Sequence, residues 1–284
     1  MRIHLISDLH FEFQRWRRAW ALDSVDADVH VLAGDIGIGL EGIQWALAAF
    51  SKPVIYVMGN HEYYGQRPMM ELLAKARQKT AGSHVHLLEN EYVVIDGVRF
   101  LGCTLWTDFC LFGPARQFEM MEIAGNGMTD FTTIHVNAKG FRKSPGSVCE
   151  SGSSRRTGDR LTPQTTLEMH LASRQFIDQH LTHQPGPETH AEAWTQTVVV
   201  THHAPSPLSL HAAEVGSPLS AAYASPLDDL VTRCDLWLHG HVHAIRDYQI
   251  GSDEGGRVVV NARGYKDHGN GGEIQFDPFR IIEI

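Results

Sequence analysis

Histidine placement is the first chemical signal in this chain. Of 18 histidines in 284 residues, His10, His61, His202, His203, His239, His241 and His243 fall in short polar runs directly after apolar strand-like segments. The runs are Ser7-Asp8-Leu9-His10, Gly34-Asp35, Gly59-Asn60-His61-Glu62, Thr201-His202-His203-Ala204-Pro205 and His239-Gly240-His241-Val242-His243. In open α/β sheets the rim beyond the strand ends is where ligands bind. An extended i, i+2 pair such as His241 and His243 sends both imidazoles to one side.

Asp8, His10, Asp35, Asn60, His202, His241 and His243 offer oxygen and nitrogen donors and no thiolate. That set suits two divalent or trivalent transition-metal ions such as manganese, iron or zinc. One carboxylate must bridge them. Two ions about 3.5–4 Å apart hold a hydroxide between them, lower its pKa, and clamp the attacking and leaving oxygens of an in-line displacement at phosphorus. His239 lies inside its strand end and reads as a structural histidine. His203 reads either as a donor to phosphate or as a residue packed beside His202, and Arg263, just past a strand, either as a planar fork for a phosphate oxygen or as half of a surface ion pair. The cysteines read as buried or inert.

The elements that must carry these runs are legible in the pattern. Segments 2–6, 29–33 and 54–58 read as strands, separated by a helix over 41–50 with Ile43, Leu47 and Phe50 on one face. Pro68 opens a second helix whose Met69, Leu72, Leu73 and Ala76 share a face. This is a βαβ rhythm with a largely parallel sheet. Strands follow at 85–88, 92–95 and 98–102, the last two joined by the hairpin signal Asp96-Gly97. A helix starting at Thr162-Pro163 carries Leu167, Leu171, Phe176, Ile177 and Leu181, and further strands are expected at 197–201, 235–238, 245–250 and 257–261.

At 43% hydrophobic and 20% charged the chain is expected to fold. It reads as a single domain over 1–284. The net charge of −9 speaks against bulk attraction to nucleic acid. One stretch departs from this balance: 139–160, rich in Gly and Ser, holds Lys139, Arg142, Lys143, Arg155, Arg156 and Arg160 against Glu150 and Asp159. It reads as a flexible insertion, either a solvated loop or a lid that meets an anionic substrate. No apolar run is long enough for a membrane span, and four scattered cysteines without a Cys-x-x-Cys pair fit reduced thiols, so a cytoplasmic protein is expected.

The ordered set Asp-x-His, Gly-Asp, Gly-Asn-His-Glu, Thr-His-His-Ala-Pro and Gly-His-x-His resembles the calcineurin-like metallophosphoesterase superfamily, from Ile3 to about Tyr265. The Thr-His-His-Ala-Pro form, the segment from Phe100 to Trp106 and Asn261-Ala262-Arg263-Gly264-Tyr265 look like a bacterial branch of it. The resemblance implies two mixed β-sheets packed face to face with helices outside, a four-layer α/β/β/α sandwich. It implies that Asp8, His10, Asp35 and His243 hold one ion, and that Asp35, Asn60, His202 and His241 hold the other, with Asp35 as the bridge. His61 matches the family's general acid. Many members have an acid three residues after the bridging Asp, where it would orient that histidine; here the position is Ile38.

Two function classes follow. The first is a metal-dependent phosphoric ester hydrolase acting on a small monoester, a diester such as a cyclic nucleotide, or a nucleotide pyrophosphate. The second is a non-catalytic scaffold that keeps the fold for partner binding. A complete set of ligand positions together with His61 favours the hydrolase, since a scaffold has no need of a complete cage.

Overall fold

The central strands are apolar on both sides, as a sheet covered on both faces requires. The structure is a computed structural model that describes residues 1–13, 25–65, 67–137, 159–182, 194–251, 255–265 and 276–284. In the first sheet β1 (Arg2–Ile6), β2 (Val29–Ala33), β3 (Val54–Val57) and β4 (Val85–Leu87) run parallel. The second sheet is built from β5 (Glu91–Ile95), β6 (Val98–Cys103), β9 (Gln196–Thr201), β10 (Leu236–His239), β11 (Ile245–Gln249) and β12 (Arg257–Asn261), in the order β11-β12-β10-β9-β6-β5. Its four inner strands are parallel and its two edges antiparallel. The chain ends in β13 (Ile281–Glu283), which pairs antiparallel with β1. In the β5–β6 hairpin Asp96 and Gly97 both take positive φ, 48° and 78°, the two-residue turn expected of Asp-Gly.

Alternation along the strands makes the layers. Ile3, Leu5, Val29, Val31, Ile55 and Val57 meet Phe100, Val198, Val200, Leu236, Leu238 and Val259 between the sheets. The outer face of the first sheet, with Ile6, Leu32, Val54 and Tyr56, is covered by Ile43 and Ala46 of α1 (Glu41–Ala49) and Leu72, Leu73 and Ala76 of α2 (Met69–Thr80). The far face of the second, with Leu101, Val199, Trp237 and Val258, packs on Ile177 of α5 (Pro163–Thr182) and on Leu230 and Val231 of α6 (Asp228–Val231). This is the expected four-layer α/β/β/α arrangement.

One expected face differs. The buried stripe of α5 is Thr166, Leu167, His170, Ser173 and Ile177, so Leu167 and Ile177 face the core as expected, whereas Leu171 is 52% exposed. Leu171 lies roughly 40° further round the helix than Leu167, past the edge of that stripe. The pattern also left out α3 (Gln117–Gly127), α4 (Asp130–Thr133) and the short pair β7 (His135–Asn137) and β8 (Asp159–Arg160). Of the basic stretch 139–160, only Asp159 and Arg160 lie within the described residues. Among the described residues no helix is long and apolar enough to cross a membrane.

Candidate metal centre

Strands β1, β2, β3, β9 and β10 release the chain at one rim, where a parallel bridge between Ser7 and Ala262 ties the two sheets together. The polar runs beyond them converge there. Asp8, His10 and His243 place ligand atoms within 4.8 Å of one another, as do Asp35, His202 and His241, and a third group joins His10, Asp35 and His61. Asn60 Oδ1 lies 3.0 Å from His202 Nε2. All seven residues expected as ligands are therefore in one place.

The turns that aim them are unusual. Asp8, His10, Asp35, His241 and His243 have φ of 54°, 49°, 54°, 70° and 47°, the left-handed region that costs a side-chain-bearing residue about 1–3 kcal/mol. Backbone bonds across the rim hold them: Asp8 N–H donates to Gly34 O at 3.0 Å, His10 N–H to Asp35 O at 3.0 Å, and His241 N–H to Asp8 Oδ1 at 3.0 Å. Buried Glu62 ties two of the loops together. It accepts from the N–H groups of Asp35, Ile36 and Gly59 and from the Tyr56 hydroxyl, at 2.8–2.9 Å.

The donor spacing fits metal ions. Donors about 2.0–2.2 Å from a shared ion stand about 2.8–3.6 Å apart at octahedral or tetrahedral angles. His10 Nε2 and His243 Nε2 are 3.0 Å apart, His243 Nε2 and Asp8 Oδ1 3.4 Å, His202 Nε2 and Asp35 Oδ2 3.3 Å, and His202 Nε2 and His241 Nδ1 3.2 Å. Among the described residues His241 has no hydrogen-bond partner on buried Nε2 and only another imidazole nitrogen on Nδ1. The His202 Nδ1–H donates to Ala33 O at 2.9 Å, which turns Nε2 to the cage. Such outer contacts fix ligand tautomer and orientation.

A model of the calcineurin-like phosphoesterase family matches residues 1–244 of this chain. The chain belongs to that family. A search of curated proteins finds no match. Among solved structures, a dimetal phosphatase from Danio rerio superposes with a TM-score of 0.49 at 17% identity, over 91% of this chain and 86% of that one.

This calcineurin-like phosphoesterase has site residues that its motifs do not contain. Glu12 lies just past β1, and its Oε1 accepts from Nδ1 of His61 at 2.7 Å and from Nδ1 of His10 at 3.0 Å. Asp130, at the start of α4, accepts from Asn60 Nδ2 at 2.8 Å and from the Tyr64 hydroxyl at 2.7 Å, so the amide oxygen of Asn60 faces the cage. Tyr265 Oη is 3.0 Å from His61 Nε2. Tyr265 belongs to a segment already singled out in the sequence, whereas Glu12 and Asp130 carried no local signal.

Two residues expected at the substrate face elsewhere. His203 is buried, with Nδ1 donating to Thr104 O at 3.2 Å and its ring packed between Trp106 and His241. Arg263 donates to Leu9 O at 3.0 Å. Neither lines the cleft of about 260 Å³ over the cage, which is bounded by Asp35, Asn60, His61, Tyr64, Gly127, Met128, Thr129, Glu214, Tyr223, His241, Val242, His243 and Tyr265. His239 is the structural residue expected, with Nε2 on Ser209 Oγ at 2.7 Å and Nδ1 on Gly240 O at 2.8 Å.

The electrostatics suit cations. Burial pushes the Asp35 carboxyl up, but His202, His61 and His10 hold it well below the ordinary carboxylate value. Burial works against charge on His202, yet Asp35 raises it to about 10. Burial together with neighbouring His203 and His202 drives His241 well down. Burial is likewise overcome at Glu12, which hydrogen bonds from His10 and His61 hold at about 2. His61 resists burial and rises to about 9 through Asp35 and Glu12. Carboxylates held ionised among imidazoles that compete for few protons make a cage that an entering cation discharges of protons.

Proposed function

We propose that this protein is a di-metal phosphoesterase, with Asp8, His10, Asp35 and His243 around one ion and Asp35, Asn60, His202 and His241 around the other. One observation carries the reading. Asp35 Oδ2 lies 3.3 Å from His202 Nε2 and 3.8 Å from His10 Nε2, so a single carboxylate oxygen stands between the two ligand groups. Bound ions of the manganese, iron or zinc type supply Lewis-acid polarisation of the phosphoryl group and activation of water. The chain's own part is positioning. The left-handed turns aim the ligands, Asp130 orients Asn60, and Glu12 orients His61, whose ring stacks on Tyr64 with centroids 4.2 Å apart. His61 is the proton source for the leaving group.

A diester is the better substrate on this reading. Among the described residues that bound the cleft there is no Lys or Arg, and Glu214 adds a carboxylate. A singly charged phosphodiester meets less repulsion there than a doubly charged monoester. The test pairs elemental analysis with hydrolysis of nitrophenyl phosphate and bis(nitrophenyl) phosphate after reconstitution with manganese, zinc or iron. About two ions per chain and faster diester turnover are expected. Fewer than one ion after growth with added manganese overturns the two-ion reading, and faster monoester turnover overturns the diester preference alone.

A further inference from the structure

His61 has no ring nitrogen left over for a substrate. Its Nδ1 is 2.7 Å from the Glu12 carboxylate, which only accepts, and its Nε2 is 3.0 Å from Tyr265 Oη. Nε2 is the atom that would face a leaving group, and a phenol stands on it. That phenol is placed by the cage itself. The Tyr265 ring lies with its centroid 4.5 Å from that of His243 and 4.6 Å from that of His10, and the preceding Gly264 N–H donates to Asp8 O at 3.1 Å. Tyr265 is half-buried and borders the cleft together with His61.

We propose that Tyr265 is a catalytic residue of this site, the group that meets the leaving oxygen, with His61 behind it as proton donor and Glu12 as the positioning residue of the row. The proposal rests on the phosphoesterase reading. As the bond between phosphorus and the leaving oxygen breaks, its electron pair stays on that oxygen, which takes the Oη proton of Tyr265. Tyr265 takes the Nε2 proton of the His61 imidazolium. His61 ends neutral with its Nδ1–H still on Glu12, and no further reactant is needed. A tyrosine hydroxyl is a competent general acid when a second donor keeps the phenolate from accumulating.

The test uses the manganese-reconstituted full chain and two diesters that differ only in the leaving group, nitrophenol or an alkyl alcohol. Tyr265→Phe keeps the ring that packs on His10 and His243 and removes only the hydroxyl. It is expected to lower the alkyl rate by about 10²–10⁴ and to leave the nitrophenyl rate close to the parent's, with ion content unchanged. His61→Ala in the Tyr265→Phe background is expected to add little further loss, since the two act in series. A second readout needs no turnover. In the metal-free protein the ¹⁵N resonance of His61 Nε2 is expected to move in Tyr265→Phe.

Equal losses on the two esters, an unchanged alkyl rate, losses that multiply in the double variant, or an unmoved Nε2 resonance would each overturn the proposal. A parent that carries two ions and cleaves neither diester would instead overturn the phosphoesterase reading on which it stands.

Discussion

Glu12 and His61 are 49 residues apart in the chain, and one carboxylate oxygen of the first lies 2.7 Å from Nδ1 of the second. The same oxygen accepts from His10 at 3.0 Å, so a single acid orients His10 and the cleft imidazole together. The acid sought three residues past Asp35 is absent because Ile38 stands there, and Glu12 reaches the same imidazole from the turn after β1.

Glu12→Gln is expected to lower the pKa of His61 in the metal-free protein from about 9 toward its ordinary value of 6.5. Because the folded value lies above the unfolded one, His61 contributes stability that is fully present below about pH 6.5 and lost as pH rises through about 9. Denaturant unfolding of the metal-free parent should therefore show stability falling over that window, with a shallower fall in Glu12→Gln. NMR titration of the His61 ring checks the shift, and an unchanged titration midpoint would show that Glu12 does not act on it.

Asp35→Asn is expected to cost more metal than His10→Ala. Asp35 Oδ2 faces both His202 and His10, and on the two-ion reading its charge would offset that of two cations. Elemental analysis should find almost no ion in Asp35→Asn and about one in His10→Ala, with phosphoesterase turnover at background in the first and residual in the second. Equal ion contents would remove Asp35 from its place between the groups.

Asp130→Ala frees the Asn60 amide, whose Nδ2 it accepts at 2.8 Å, and removes the acceptor of the Tyr64 hydroxyl. A loss of about 10–100-fold in metal affinity is expected, the usual cost of losing a partner that orients a ligand. Competition with a chelator measures it. The remaining site predicts a smaller effect for Asp130→Asn, which keeps one acceptor oxygen.

Gly240→Ala puts a methyl 2.6 Å from both Ala33 O and Asp8 Oδ2, between a strand end and a cage ligand. Overpacking of about 1–3 kcal/mol and reduced ion content are expected together. Gly82→Ala is the control: its φ is +70° but no atom lies within 4 Å of the added carbon, so only the backbone cost of about 1–2 kcal/mol applies, with ion content intact. Thermal unfolding and elemental analysis on the two variants separate crowding of the cage from backbone strain.

The convergence of the seven residues proposed as ligands could be expected from the sequence because metal ligation restricts residue type and the strand ends restrict place. His241-Val242-His243 after an apolar strand, or Asp8-Leu9-His10 after another, is local information that needs no knowledge of the fold. The sheets were legible for a similar reason, since strands buried on both faces read as continuous apolar runs. Only the tertiary structure decided the rest. Glu12 and Asp130 are ordinary carboxylates in sequence, and their roles arise from contacts with His61 and Asn60 across 49 and 70 residues. His203 sits beside a cage ligand in the chain, yet the next position on a turning backbone points the other way, to the Thr104 carbonyl. A ligand is written into its own side chain. What orients it depends on which distant segments the packed sheets bring to the same rim.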